Sequence, residues 1–166
     1  MKNVILILFV FFINSVHAQT AAQFVIDGVK KGKLENHRDA IVDFSKAIKL
    51  KPNYANAYFG RGYAKYKLQN YRGAIKDLSK AIKLNPKVED FYFYRGDSKS
   101  ELEDHRGAII DFSKAIKLDE GFKKAYLYRG YSKCELGRRN QGCLDFSKAG
   151  ELGSGKAYKA IQILCN

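Results

Sequence analysis

One phrase of 15 residues recurs along the chain at a fixed spacing of 34 residues. It reads RGAIKDLSKAIKLNP at 72–86, RDAIVDFSKAIKLKP at 38–52 and RGAIIDFSKAIKLDE at 106–120, with a diverged copy, NQGCLDFSKAGELGS, at 140–154. A unit of this size cannot bury its apolar face alone, so a fixed period predicts that neighbouring copies stack into one continuous core. The period therefore constrains the fold more than any other feature of the sequence.

Each copy of the phrase has the pattern of an amphipathic helix. Five apolar residues of the second copy recur at helical spacing and form one stripe: Ala74, Ile75, Leu78, Ala81 and Ile82. Pro86 then ends the helix, because proline cannot continue it. A second helical stretch precedes each copy, at about residues 55–68 in the second unit, and Gln69 and Asn70 form the turn between the two. This organisation predicts four helix–turn–helix units at residues 21–54, 55–88, 89–122 and 123–156.

These units resemble the tetratricopeptide repeat. In the second unit the resemblance is carried by Tyr58, Gly62, Tyr71, Ala74, Leu78, Ala81 and Pro86. The other units keep most of this pattern, although Glu120 replaces the proline in the third and Gly142 replaces the usual alanine in the fourth. The resemblance covers nearly all of residues 19–166 and implies an all-α fold, a solenoid of four repeats.

The two ends of the solenoid differ in sequence. Gly153 and Gly155 interrupt the last repeated helix, and residues 156–165 form a short amphipathic pattern. We expect this segment to be a capping helix that covers the open end of the stack. Its inward-facing residues are predicted to be Ala157, Ala160, Ile161 and Leu164.

Charged residues also repeat with the period. Arg61, Arg95 and Arg129 precede the glycines of the first helices, and the second helices repeat Asp43, Asp77, Asp111 and Asp145. These residues are either a ladder of binding groups or structural ion pairs between the two helices of a unit. We favour ion pairs, because both partners recur in register. The first unit has Asp27 in place of the arginine, so the ladder begins at the second unit.

The first 18 residues are typical of a secretory signal peptide. Lys2 is followed by an apolar run at 4–13, and Val16 and Ala18 form a small-residue cleavage site. An uncleaved anchor is the alternative, but a span needs about 20 apolar residues. We expect an exported protein, periplasmic or secreted, that begins at Gln19 and has no other membrane span.

Three cysteines fall in the last unit and the cap. Export favours a disulfide, and we predict Cys143–Cys165 first and Cys134–Cys165 second, with three reduced thiols as the remaining alternative. The cysteines lack a CxxC spacing and a nearby histidine, so we expect no zinc or other metal site.

The family resemblance implies a concave groove lined by the first helix of each unit. The candidate residues for binding a protein or peptide partner are Asn56, Phe59, Tyr63, Tyr66, Phe93, Asp97, Leu127 and Tyr131. Tyr94 and Tyr128 lie near the edge of this groove. The alternative is that some of the aromatic rings pack between adjacent helices. The positions of the carboxylate clamp that grips chaperone tails hold Val25, Val29, Gly60, Asp90 and Tyr94, so that activity is not expected here.

The sequence has no catalytic motif, phosphate-binding loop or cofactor signature, so we expect a protein–protein interaction scaffold and not an enzyme. The net charge of +13 leaves an alternative, in which lysines and arginines of the second helices form a basic convex face. Such a face either solvates the protein or binds anionic surfaces or polysaccharides; export makes nucleic acid an unexpected partner. A third interpretation is self-assembly through the uncapped N-terminal end, at Phe24 and Val25.

Overall fold

The computed structural model describes residues 20–165, so the predicted signal peptide lies outside the described residues. Within this range the regular structure is entirely α-helical. The described residues form nine helices: α1 (Ala21–Lys33), α2 (His37–Leu50), α3 (Ala55–Lys67), α4 (Tyr71–Leu84), α5 (Glu89–Ser100), α6 (His105–Leu118), α7 (Lys123–Glu135), α8 (Arg139–Glu151) and α9 (Gly155–Leu164). None of these described helices is long and apolar enough to cross a membrane. The predicted all-α solenoid with a C-terminal capping helix is confirmed.

The turns inside the units repeat as regularly as the helices. Glu35, Gln69 and Glu103 adopt positive φ angles of 58°, 59° and 63° at the same repeat position, where the fourth unit has a glycine. The next residue caps the second helix: Asn70, for example, accepts a hydrogen bond from the N–H of Gly73 at 3.0 Å. This turn brings the two helices of a unit side by side.

Close approach within a unit depends on the glycines of the first helices. A Cβ atom at Gly96 would lie 3.0 Å from the ring of Phe112, and one at Gly130 would lie 2.5 Å from the ring of Phe146. Alanine at Gly130 would have to displace a side chain that is completely buried. These glycines therefore admit large rings of the second helices into the space between the helices.

The stacking of units gives the solenoid an inner and an outer side. Successive first helices (α1, α3, α5 and α7) touch each other, whereas the second helices of the described chain contact only their neighbours in sequence. A stack in which only the first helices meet is curved, with those helices on its concave side. The residues of the predicted groove therefore lie on the inner side.

Each of the last three units contains the predicted arginine–aspartate pair. In the third unit Arg95 donates from Nε and Nη2 to Asp111 at 2.9 and 2.5 Å, and Lys99 Nζ lies 2.8 Å from the same carboxylate. Arg95 Nη1 also donates to Ser79 Oγ of the preceding unit at 3.2 Å. The same contacts recur at Arg61 with Asp77 and Ser45, and at Arg129 with Asp145 and Ser113. The structural interpretation of these charges is thus confirmed, and the arginine also links one unit to the next.

The first unit lacks this arginine, as the sequence predicts. Its aspartate, Asp43, pairs instead with Lys31 at 2.6 Å and with Lys46 at 3.7 Å. Both lysine side chains are substantially exposed, 41% and 53%. Water screens these pairs more than the arginine pairs of the later units.

The cap is attached to the last unit in two ways. Ala157 and Ala160 are buried against Leu127, Phe146 and Ala149, and Ile161 and Leu164 pack around them. Cys143 and Cys165 form a disulfide with Cα atoms 5.8 Å apart. The first-choice pairing is therefore confirmed, and the Cys134–Cys165 pairing and the three-thiol alternative are wrong, since Cys134 is free.

We predict that Asp111→Ala destabilises the protein by about 3 kcal/mol, because it leaves a largely buried guanidinium without its partner. The equivalent change in the first unit, Asp43→Ala, serves as the matched control and should cost about 1 kcal/mol or less, because its lysine partners reach water. Urea unfolding of the two variants measures the difference. Equal losses would contradict a special role for the arginine pair.

We predict that Gly130→Ala destabilises the protein by about 2 kcal/mol, since the new methyl group overlaps the buried ring of Phe146. At Gly32 a Cβ atom would meet nothing within 4 Å. Gly32→Ala should therefore raise the free energy of unfolding by about 0.5 kcal/mol through helix propensity alone. Thermal and urea unfolding should show that Gly130→Ala is less stable than the wild type and that Gly32→Ala is more stable.

Candidate functional site

Two neighbouring cavities lie on the concave side and share Tyr63. The first has a volume of about 570 Å³ and lies among α1, α2, α3 and the start of α5. The second, about 460 Å³, lies among α3, α5, α7 and the loop that leads into α9. Together they follow the groove from the first unit to the cap.

The first cavity is mostly apolar. Phe44 and Phe91 are buried in its floor, and Val25, Val29 and Phe59 line its walls. Polar groups are few: Lys33 and Asn56 are exposed, Asp90 is half-buried, and His37 is buried in the wall. This composition suits an apolar side chain with a few polar contacts around it.

Gly32 makes the first cavity larger than the equivalent places in other units. The same repeat position holds Tyr66, Ser100 or Cys134 elsewhere. In the third unit Ser100 Oγ lies 3.4 Å from Nδ1 of His105. The equivalent His37 is buried on the cavity wall, and its Nδ1 has no hydrogen-bond partner in residues 20–165. Because Gly32 has no side chain, the space beside it is open, and Nδ1 of His37 has no partner within the described residues.

The wall between the cavities is a continuous cluster of aromatic rings. Tyr63 meets Tyr94 edge to face with ring centres 4.9 Å apart, and Tyr66 meets the same ring at 5.7 Å. Phe59 packs on Phe91 at 4.9 Å and on Tyr94 at 5.9 Å. Contacts of this kind hold the rings in place, so the groove surface is formed before any partner arrives.

A buried carboxylate lies beneath these rings. Asp97 is 3% exposed, and the hydroxyl of Tyr66 donates a hydrogen bond to it at 2.7 Å. It makes no ion pair with any residue of the described chain, unlike the aspartates of the ladder. Burial raises the pKa of Asp97 from 3.8 to about 6, and the nearby Glu101 adds to the rise while the Tyr66 hydrogen bond opposes it. Burial and the Asp97 hydrogen bond also raise the pKa of Tyr66.

The second cavity is more polar than the first. Tyr66, Tyr94 and Tyr128 form its aromatic side, and Leu127 lies among them. Four lysines also line it: Lys67, Lys123, Lys124 and Lys156. The loop at residues 153–156 closes the side toward the cap. In the described part of the chain, no group of three or more histidine, cysteine or acidic side chains is placed to hold a metal ion.

The structure brings most of the predicted binding residues together on the groove, though not all at its surface. Asn56, Phe59 and Tyr63 line the first cavity, and Tyr63, Tyr66 and Leu127 line the second. Phe93 and Asp97 are only 4% and 3% exposed.

Three of the predicted binding residues line neither cavity, although their repeat positions predict a place on the groove surface. Phe93 packs against Phe112, Phe122 and Tyr128, as the alternative interpretation for the aromatic residues holds. Asp97 lies under Tyr66. Tyr131 is 37% exposed, contacts Phe146 and lines neither cavity.

Several groove residues cannot be predicted from their positions in the repeat. Lys123, Lys156 and the glycines of the cap loop are far along the chain from Tyr63 and Tyr66, with which they form one cavity. The curvature of the stack brings them together. The only local signal for them in the sequence is the pair of glycines before the cap. These glycines predict a loop, but they do not indicate which helices the loop faces.

Models of the tetratricopeptide repeat match three overlapping or adjoining segments, at residues 29–69, 55–88 and 89–122. The chain belongs to the tetratricopeptide repeat family. Together these segments span more than half of the chain. The second and third coincide with the second and third units, and the first runs from within α1 to just past the end of α3. Among curated proteins, no sequence matches this one.

Solved structures of tetratricopeptide repeat (TPR) proteins superpose closely on this chain. The crystal structure of MamA is 27% identical with a TM-score of 0.79, and the match covers 88% of this chain and 85% of MamA. YrrB is 19% identical with a TM-score of 0.75, covering 84% of this chain and 72% of YrrB. The first TPR domain of Spaghetti (RPAP3) is 22% identical with a TM-score of 0.70, covering 72% and 95%. These matches confirm the fold.

We predict that ionisation of Asp97 costs stability as the pH rises. The folded protein holds this proton with a pKa of about 6 and the unfolded chain with 3.8, so stability falls as the pH rises from about 4 to about 6. Asp97→Asn keeps the acceptor for Tyr66 and removes the charge. The stability of this variant relative to the wild type should rise by about 2–3 kcal/mol between pH 4 and pH 7. Urea unfolding at both pH values measures this change, and a pH-independent difference would show that Asp97 is not strained by burial.

Proposed function

We propose that this protein is a non-catalytic scaffold that holds an extended peptide segment of a partner protein in its concave groove. The observation that carries the proposal is the pair of cavities joined at Tyr63, one apolar and one polar, along a wall of fixed aromatic rings. Together they offer successive places for successive side chains of one segment.

The first cavity supplies the anchor site in this proposal. Its volume of about 570 Å³ accommodates a large apolar side chain, and Phe59 and Tyr63 would cover that side chain from one side. Tyrosine at such a place combines a broad apolar surface with a hydroxyl group and few rotatable bonds. We therefore assign the largest share of the binding energy to Tyr63, which belongs to both cavities.

Two structural neighbours support a peptide as the type of partner. YrrB is described as a TPR protein with an unusual peptide-binding site, and the RPAP3 domain was solved with the HSP90 peptide SRMEEVD. For the present chain we extend only the general mode, a peptide on a TPR surface. The residues that would bind it are those of its own two cavities.

We further propose that the protein works outside the cytoplasm, on the basis of the signal-peptide pattern at 1–18 and the disulfide between Cys143 and Cys165. A disulfide persists in oxidising compartments and is rare where thiols are kept reduced. The partner would then be an exported protein or the exposed part of a membrane protein.

The competing interpretations concern other surfaces. On the outer face the exposed lysines alternate with exposed apolar residues, Val42, Ile110 and Leu144, and we assign this face to solvation. At the N-terminal end Ile26 and Val29 are 48% and 44% exposed, which favours self-association as a second candidate. Sedimentation of the chain from residue 19 onward over a wide concentration range separates self-association from peptide binding.

We predict that peptides selected from a random displayed library by the chain from residue 19 onward bind Tyr63→Ser at least about tenfold more weakly than they bind the wild type. This loss is typical of an aromatic residue at the centre of an interface. Leu144→Ser is the matched control: Leu144 is 71% exposed on α8, outside both cavities, and its replacement should leave affinity within about twofold. Isothermal titration of a selected peptide provides the measurement. Equal affinities for wild type and Tyr63→Ser would remove the groove as the site.

A further inference from the structure

We propose that the second cavity is a subsite for acidic side chains, so that the peptide segment carries aspartate or glutamate next to its apolar anchor. This inference rests on the proposed function and names the chemistry of the partner. The side chains concerned are internal to the segment, so the subsite does not require a free C-terminal carboxylate.

The lining of the second cavity carries charge of one sign only. Four of its twelve lining residues are lysines, and none of the lining residues in the described range is acidic. Lys67 approaches from α3, Lys123 and Lys124 from the start of α7, and Lys156 from the start of α9. A concave site lined by one sign of charge concentrates its field toward an oppositely charged ligand.

These lysines differ from those of the structural ladder. Lys65, Lys99 and Lys133 each hold a ladder aspartate at 2.7–2.8 Å. Within residues 20–165 the four cavity lysines make no ion pair. Among the described residues, Lys123 Nζ donates only to the carbonyl of Gly153, at 3.4 Å. Two acidic groups lie close to the cavity: burial raises the pKa of Asp90 while Lys124 partly opposes the rise, and Asp97 accepts a hydrogen bond from the lining residue Tyr66. The positive charge of the four cavity lysines therefore stays available to a ligand.

The cavity also supplies uncharged hydrogen-bond donors. Helix α9 begins at Gly155 on the cavity wall, and within residues 20–165 no side chain caps it, although the N–H of Ala157 donates to the carbonyl of Ser154 at 3.0 Å. Such a helix end favours a carboxylate through its free N–H groups and its dipole. Tyr128 also lines the cavity, while the hydroxyl of Tyr66 donates to Asp97 and that of Tyr94 is hydrogen-bonded to Tyr63. A carboxylate in this cavity meets both charge and directed hydrogen bonds.

The cap gives this cavity its shape. Residues 153–156, where the chain passes from α8 into α9, form one wall of the cavity. The Cys143–Cys165 disulfide holds α9 against α8. The subsite thus lies in the C-terminal part of the groove, between the first helices of the second to fourth units and the cap. It shares only Tyr94 with the carboxylate clamp positions of related proteins, and its four lysines lie outside those positions.

The test uses the displayed peptide library on the chain from residue 19 onward, with peptides fused at their C-termini so that only side chains can supply carboxylates. We expect the selected peptides to be enriched in aspartate and glutamate. Synthetic copies with amidated C-termini are then titrated against a cavity variant, Lys123→Gln, Lys124→Gln and Lys156→Gln together. We expect about a tenfold loss at low salt that shrinks as salt is added, as for exposed ion pairs.

An outer-face variant, Lys49→Gln, Lys83→Gln and Lys117→Gln together, is the matched control, since it removes the same charge from three exposed lysines at one repeat position. It should change affinity by less than about twofold. Peptides that bind but show no acidic enrichment, or equal losses in the two variants, overturn the subsite and leave the peptide-binding proposal standing. If the protein selects no peptide at all, the proposed function fails as well.

Discussion

The stack depends on one guanidinium group in each of the last three units, which links its own helix to two others. Arg95 forms a two-point ion pair with Asp111 of its own unit and also donates to Ser79 of the unit before. The planar fork of arginine can satisfy both directions simultaneously, which a lysine cannot do. This contact therefore sets the angle between the two helices of a unit and the position of that unit on its predecessor. The curvature of the groove follows from its repetition.

The same repeated sequence builds a groove whose two halves differ chemically. Small changes at equivalent positions are enough: Gly32 opens the first cavity where Tyr66 fills the next unit, and Lys124 stands where other units carry Asn56 or Asp90. The scaffold positions stay nearly constant, and the groove positions vary. In a solenoid this division is natural, because each inward-facing position can change without disturbing the contacts between helices.

The sequence predicts the helices, the ion pairs and the cap because each of these is a local or periodic feature. The 34-residue period places the arginines and aspartates. The position of Cys143 on the side of the last unit that meets the cap favours Cys165 as its partner over the other two alternatives, and the structure contains that bridge. The burial of side chains across the groove cannot be predicted from local or periodic features. Phe93 has the repeat position of a groove residue, yet the rings of Tyr94 and Tyr128 cover it. Its burial depends on which side chains occupy neighbouring units, and a period contains no such information.

The central claim is that the concave side binds a peptide along both cavities. The most direct test is to titrate isotope-labelled protein with a selected peptide and to monitor its backbone and side-chain chemical shifts by NMR. The account predicts that the largest shifts fall on Tyr63, with further shifts at Phe59 and at Lys156, and that Ile110 and Leu144 on the outer face stay unchanged. Shifts concentrated on Ile110 and Leu144, with Tyr63 unaffected, would contradict it.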